Sequence, residues 1–153
     1  MPEKPEMTQC ILCCTDFSDN AARAFDFALD AALQRKSCRL YLLHVIPEPE
    51  SQFWRTYIYG TDINVDEKAK RDLDAKVDNE YRSKVPEHID FRVEFRIGKD
   101  YQKILEFAKD IQADLIVLGR QGTGTLSKIF FGSVAQRIVR RANCPVLVVP
   151  PQK

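Results

Sequence analysis

Short apolar runs alternate with amphipathic stretches along most of the chain. Apolar residues at i, i+3, i+4 and i+7 predict a helix with one buried face, and a short apolar run bounded by turn residues predicts a buried strand. On this basis we predict five strands, at 10–15, 39–46, 89–97, 114–118 and 145–150, and four helices, at about 21–33, 66–84, 101–111 and 134–142. Such alternation is typical of an α/β fold with a parallel sheet and helices on both faces.

The third predicted strand indicates how the sheet is ordered. Its apolar residues alternate with Asp90, Arg92, Glu94 and Arg96, so one face is in water and the strand belongs at an edge. The order 3-2-1-4-5 places it there, whereas the order 2-1-3-4-5 would bury it centrally. We therefore predict a five-stranded parallel sheet of order 3-2-1-4-5.

In this order the chain reverses direction between the first and fourth strands. Ligands of such sheets bind beyond the carboxyl ends of the strands at that switch point. Those ends are Asp16 and Gly119. Gly119 opens a glycine-containing loop that ends with Gly132-Ser133 at the start of a helix, and free amides at a helix start favour phosphate. A flexible βα connection is the alternative interpretation, since glycine is common in loops.

Composition limits the class of protein. The 153 residues suit one domain, with a core at about 8–150, and 23 Lys and Arg against 22 Asp and Glu give a net charge of +1. This balance argues against nucleic-acid binding, which needs a basic excess. No apolar run is long enough for a membrane span, and the first residues have no apolar signal core. We expect a cytoplasmic protein that binds neither nucleic acid nor membrane.

The five cysteines and the first histidine are predicted to be structural. Cys10 and Cys13 form a C-x-x-C within a strand, where residues three apart face opposite sides, so one metal ion would not reach both. Reduced, packed thiols are the expectation. His44 lies in an apolar run with no second histidine or carboxylate cluster nearby, and it is expected to be a core residue.

The loop after the fourth strand lacks the Gly-Lys-Ser/Thr of a Walker A motif, and its glycines do not have the dinucleotide-binding spacing. The loop contains Gly119, Gly122 and Gly132-Ser133, with two residues between the first two glycines and nine before the third. This spacing resembles the nucleotide loop of the universal stress protein family. The same resemblance extends to three other segments: the turn at 15–18, Leu43-His44-Val45, and residues 144–149. The resemblance covers about 10–150 and implies the ATP-binding, motif-bearing branch, with an adenine nucleotide alpha-hydrolase-like, Rossmann-type fold.

The resemblance also implies a set of nucleotide contacts. Asp16, beside Thr15, would contact the nucleotide, and the backbone of Val45 would hold adenine. The ribose and phosphates would lie along the glycine loop and the helix start, on Gly119, Arg120, Gly122, Gly132, Ser133 and Val134. The implied ligand is ATP, or its hydrolysed forms AMP and ADP, with Mg²⁺ accompanying ATP.

The fifth strand has no charge to protect its edge. An unguarded apolar edge invites pairing with a second copy, so we predict a homodimer through Val146–Val149, in line with the resemblance. The aromatic-rich segment 47–65 would cover the nucleotide as a lid or pack on a partner subunit, and we favour packing.

The leading functional hypothesis is a stress-response regulator that changes dimer shape or partner choice with bound ATP. Two alternatives are a slow ATPase or phosphotransferase and an interaction scaffold with a vestigial site. Nothing in the sequence supplies a general base or arginine finger directed at the γ-phosphate, so we expect no strong turnover.

Overall fold

A computed structural model describes residues 9–46, 64–120 and 133–152, with side chains from 70 onward in the second range. The strands are β1 (Gln9–Cys14), β2 (Cys38–Ile46), β3 (Asp90–Ile97), β4 (Leu115–Gly119) and β5 (Val146–Val149). The helices are α1 (Asp19–Leu33), α2 (Asn64–Glu80), α3 (Asp100–Asp110) and α4 (Ser133–Arg141), and a short 3-10 helix covers Arg82–Lys84.

The five strands form one parallel sheet of order β3-β2-β1-β4-β5, which confirms the predicted order. β1 lies at the centre between β2 and β4, with Cys13 opposite both Leu42 and Val117. β3 lies at one edge, as its alternating charges predict, and β5 lies at the other. The carboxyl ends of β1 and β4 are therefore neighbours.

Two of the described helices cover each face of the sheet. One core packs α1 and the end of α2 on the sheet, and its largest side chains are Phe25, Tyr81, Ile11, Leu40 and Leu42. The other packs α3 and α4 on the opposite face around Leu12, Leu43, Ile104, Ile116 and Ile138. Successive residues of a strand point to opposite faces of the sheet, so they enter the two cores in turn. This pattern is expected for a sheet that is buried on both faces.

The second helix ends earlier than its sequence pattern predicts. α2 stops at Glu80 and the chain tightens into the 3-10 turn Arg82–Lys84, leaving Tyr81 between them with φ −120° and ψ −57°. The side chain of Tyr81 is fully buried beneath the sheet. Within the described ranges, no helix is both long and apolar enough to cross a membrane.

Candidate functional site

The turn after β1 and the exit of β4 lie side by side at the carboxyl edge of the sheet. The pairing of Cys13 with Val117 places Thr15 and Gly119 two residues further along adjacent strands. The structure thus brings together the two chain segments that the switch-point argument selects.

Thr15 is fixed through all of its polar atoms. Its amide donates to Leu43 O over 2.9 Å, and its carbonyl lies 2.9 Å from His44 Nδ1. Its Oγ1 accepts the amide hydrogen of Phe17 at 2.9 Å and lies 2.6 Å from the Tyr81 hydroxyl. Burial is nearly complete, so these bonds satisfy groups that water does not reach. Thr15 therefore anchors the turn to β2 and to the end of α2.

The turn then bends sharply at Phe17, whose φ is +64°. This left-handed conformation is unfavourable for a side chain larger than glycine. The Phe17 ring contacts His44 with centroids 4.7 Å apart, and Lys76 Nζ lies 5.4 Å from the ring centroid. The packing compensates for the backbone strain and leaves Asp16 exposed at the edge of the sheet.

Asp16 shapes the entry into α1. Its Oδ1 accepts the amide hydrogen of Ser18 at 3.0 Å, and Ser18 in turn caps α1 by accepting from the amide of Ala21 at 3.1 Å. Among the described residues, Asp16 Oδ2 accepts no hydrogen bond. Within the described part of the chain, the exposed carboxylate therefore has a fixed backbone and one oxygen without a hydrogen-bond donor.

Gly119 is the point of closest approach between β4 and α1. A Cβ at this position would lie 3.0 Å from both Cγ and Oδ1 of Asn20 and 3.3 Å from its backbone carbon. Asn20 has little freedom to retreat, because it is buried and its Nδ2 donates to Val149 O at 2.9 Å. Steric contact, and not an unusual backbone angle, explains the glycine here.

The carbonyl of Val149 joins three parts of the site. Besides the Asn20 side chain, it accepts the amide hydrogen of Arg120 at 2.8 Å. This one oxygen atom at the end of β5 therefore links the start of α1 to the exit of β4 through two hydrogen bonds. This arrangement fixes the direction in which the chain leaves Gly119 toward the glycine loop.

The other predicted contact residues lie partly within the described ranges and partly outside them. Val45 is half-buried near the end of β2, and Ser133 is exposed as the first residue of α4, with Val134 half-buried behind it. Gly122 and Gly132 lie outside the described residues, as do residues 47–63 of the aromatic segment. Every described member of the predicted set belongs to the carboxyl edge of the sheet or to the first turn of α4.

Sequence reasoning missed four residues that build the site. Tyr81 appears only as one member of an apolar helical stripe, and Asn20 only as a polar residue at a helix start. Phe17 has no sequence feature that predicts its backbone angle. His44 differs from its predicted core role: it is half-buried, contacts Phe17 and bonds to Thr15.

The cysteines are free and packed, as predicted. Cys13 and Cys14 face opposite cores, and burial raises the pKa of Cys10 to about 11 and that of Cys14 to about 12. Cys38 and Cys144 are half-buried, and burial also raises the pKa of each thiol. The described residues contain no group of three or more His, Cys, Asp or Glu side chains able to hold a metal ion.

The sequence profile of the universal stress protein family matches residues 7–150. The chain belongs to the universal stress protein family. Its relatives include universal stress protein MJ0577 of Methanocaldococcus jannaschii, 32% identical over 91% of this chain and 93% of that protein. A universal stress protein of Thermus aquaticus is 32% identical over 94% of this chain and 99% of that protein.

Solved structures of universal stress proteins share the architecture. MJ0577 superimposes with a TM-score of 0.76 at 28% identity, over 96% of this chain and 99% of that one. A universal stress protein solved in complex with cAMP has a TM-score of 0.63 at 22% identity, over 94% and 98% of the two chains. An Arabidopsis thaliana member with AMP bound has a TM-score of 0.57 at 17% identity, over 94% and 92%. The latter two support the fold alone.

Proposed function

We propose that this universal stress protein binds ATP at the carboxyl edge of its sheet and acts as a nucleotide-dependent regulator. The observation that carries the proposal is the approach of Gly119 to Asn20 beside the exposed carboxylate of Asp16. In the sequence, Gly119 begins the segment whose glycine spacing matches the family's nucleotide motif. Two universal stress proteins of this fold have been solved with cAMP and with AMP, and we take an adenine nucleotide as the ligand class to test in this chain.

The proposed contacts follow from the chemistry of each residue. Asp16 presents its free oxygen to the ribose or to a water bound to Mg²⁺, and the backbone of Val45 holds adenine. Gly119 and Gly122 let the main chain approach the phosphates closely. The remaining contacts come from Arg120 beside Gly119 and from the start of α4, through Gly132, Ser133 and Val134, where free amides and the helix dipole favour an anion.

Mg²⁺ is proposed to enter with ATP, bound to the phosphate oxygens. Mg²⁺ keeps several waters and uses few protein carboxylates when it binds with a nucleotide. The exposed carboxylate of Asp16 fits that requirement. In this arrangement Asp16 would orient a metal-bound water, and a contact with the ribose is the alternative.

The regulatory role is proposed to depend on a homodimer formed through β5. Leu147 is 38% exposed on this edge strand, and β5 carries no charged residue. Edge strands of this kind pair readily with another chain. Nucleotide bound near the shared end of β5, at the Val149 carbonyl, would influence the geometry of the pair.

Thermal melting with adenosine, AMP, cAMP, ADP and Mg-ATP tests the ligand, and phosphate release from the same samples tests turnover. A ligand at about 100 times its Kd stabilises the folded state by about 2.7 kcal/mol. We expect Mg-ATP to raise Tm most, without multiple turnovers. No shift with any nucleotide would favour the scaffold hypothesis, and repeated turnover would favour the enzyme.

A matched pair of variants tests the site. Asp16→Asn retains a side-chain oxygen for the Ser18 amide but removes the charge, and it should weaken Mg-ATP binding about tenfold. Asp19→Asn removes the same charge three residues later, in the first turn of α1, and should bind normally. Gly122→Val should abolish binding by placing a side chain against the phosphates. Normal binding by both Asp16→Asn and Gly122→Val would refute the site.

A further inference from the structure

Three cationic side chains converge on one tyrosine outside the proposed nucleotide contacts. The cationic groups of Lys99, Arg137 and Arg141 lie 5.1, 4.8 and 5.1 Å from the centroid of the Tyr101 ring. Tyr101 itself is buried in the core between α3 and α4, while the three cations are exposed. We name these three residues the cation cluster.

The cation cluster concentrates positive charge in a small area. No two of its charges lie more than about 10 Å apart, close to the distance of about 8 Å over which charges interact at physiological ionic strength. The negative face of an aromatic ring attracts each cation and offsets part of their repulsion. A hydrogen bond from Arg141, a second from Gln102 and the charge of Lys99 lower the pKa of the Tyr101 hydroxyl.

The described carboxylates near the cluster do not neutralise it. Asp100 turns its Oδ1 to the amide of Tyr101, at 2.7 Å. Glu94 pairs with Arg96 at 3.4 Å, and Glu106 pairs with Lys103 at 3.1 Å. Helix α4 contains no acidic residue. Among the described side chains, none of the three cations of the cluster has a carboxylate within ion-pair distance.

We propose that the cation cluster is a binding site for a compact polyphosphate group, a diphosphate or triphosphate. Two guanidinium groups and one ammonium match several phosphate oxygens, since guanidinium binds phosphate through paired hydrogen bonds. The small span of the cluster favours a compact, multiply charged anion over an extended acidic polymer. The near-neutral total charge of the chain is consistent with such a local site.

The position of the cluster allows two sources for this ligand. Lys99 follows Gly98, whose amide donates to Ile46 O at 3.0 Å, so it lies at the carboxyl edge of β2 and β3. Arg137 follows Ser133 by one helical turn, about 6 Å along the axis of α4. The polyphosphate is therefore either the tail of a nucleotide at the proposed site or a separate inorganic molecule.

Isothermal titration of the full chain with inorganic tripolyphosphate, without nucleotide, tests the proposal. We expect binding that weakens about tenfold or more in Arg137→Gln/Arg141→Gln, because two charge-assisted contacts are lost. Lys99→Gln should weaken it less. Arg140→Gln is the matched control: it removes the same charge from the same helix but makes no contact with the Tyr101 ring. Circular dichroism melts verify that these exposed substitutions leave the fold intact.

Competition between tripolyphosphate and Mg-ATP distinguishes a separate polyphosphate from the tail of a bound nucleotide. If tripolyphosphate still binds when Mg-ATP is saturating, the ligand is a separate polyphosphate. If ATP blocks it, and the double variant weakens ATP but not AMP, the ligand is the nucleotide tail. Absence of tripolyphosphate binding, or an equal loss in Arg140→Gln, would overturn the cluster site. Because the first titration contains no nucleotide, it can succeed even if the proposed ATP site fails.

Discussion

The hydroxyl groups of Thr15 and Tyr81 lie 2.6 Å apart although the two residues are 66 positions apart in the sequence. Thr15 is the last residue before the turn that presents Asp16, and Tyr81 directly follows α2. The bond therefore couples the position of α2 to the turn at the candidate site. Because both side chains are buried, water does not replace the partner of either hydroxyl when the bond is lost.

A double-mutant cycle of Tyr81→Phe and Thr15→Val should reveal this coupling. Each substitution keeps the approximate shape and removes one hydroxyl, and each should lower the free energy of unfolding by about 1 kcal/mol. Thr15→Val should cost more, since the Phe17 amide also loses its acceptor. The double variant should lose less than the sum of the two, as measured by urea denaturation. Strictly additive losses would show that the two hydroxyls do not interact.

Gly119→Ala should destabilise the protein because the new methyl group meets Asn20 at 3.0 Å. We expect a loss of about 1–3 kcal/mol in the free energy of unfolding, typical of overpacking. The same substitution in an Asn20→Ala background should cost less, because the side chain that it meets has been removed. An identical cost in both backgrounds, measured by denaturant titration, would contradict the steric explanation.

The sequence predicts the sheet order, which the structure confirms, and it predicts a candidate site, because both depend on local patterns. Alternating charges place β3 at an edge, and the resulting order brings the chain ends at Asp16 and Gly119 together. The residues that fix those ends escape prediction because their partners are distant in sequence. Asn20 bonds to a carbonyl 129 residues away, and only the packing of α1 against β4 and β5 makes that contact possible.

Burial of Cys14 should make stability depend on alkaline pH. Its pKa rises from 9.0 to about 12 in the folded protein, so the folded state retains a proton that the unfolded state releases above pH 9.0. The stabilisation is complete below pH 9.0 and is lost as pH rises toward about 12. The expected slope is about 1.4 kcal/mol per pH unit from this thiol. Urea denaturation at a series of pH values measures it.

Two substitutions isolate the contribution of Cys14. Cys14→Ala removes the thiol and should reduce the alkaline slope by about 1.4 kcal/mol per pH unit. Part of the slope should remain, because burial also raises the pKa of Cys10 and Cys13. The variant lowers stability at every pH by leaving a cavity. Val117→Ala provides the control, since it leaves a cavity in the sheet without removing a titrating group. Equal alkaline slopes in the two variants would show that Cys14 ionisation does not contribute.

Leu147→Lys should convert the proposed dimer to a monomer. A lysine on the edge strand β5 would bring two like charges together across a two-fold strand pair, and lysine is a common guard of natural sheet edges. Light scattering at micromolar concentration should give a dimer mass for the unmodified protein and a monomer mass for the variant. Leu33→Lys is the matched control, because Leu33 has a similar exposure, 45% against 38%, but lies at the end of α1. A monomeric unmodified protein, or a dimer that survives Leu147→Lys, would exclude the β5 interface.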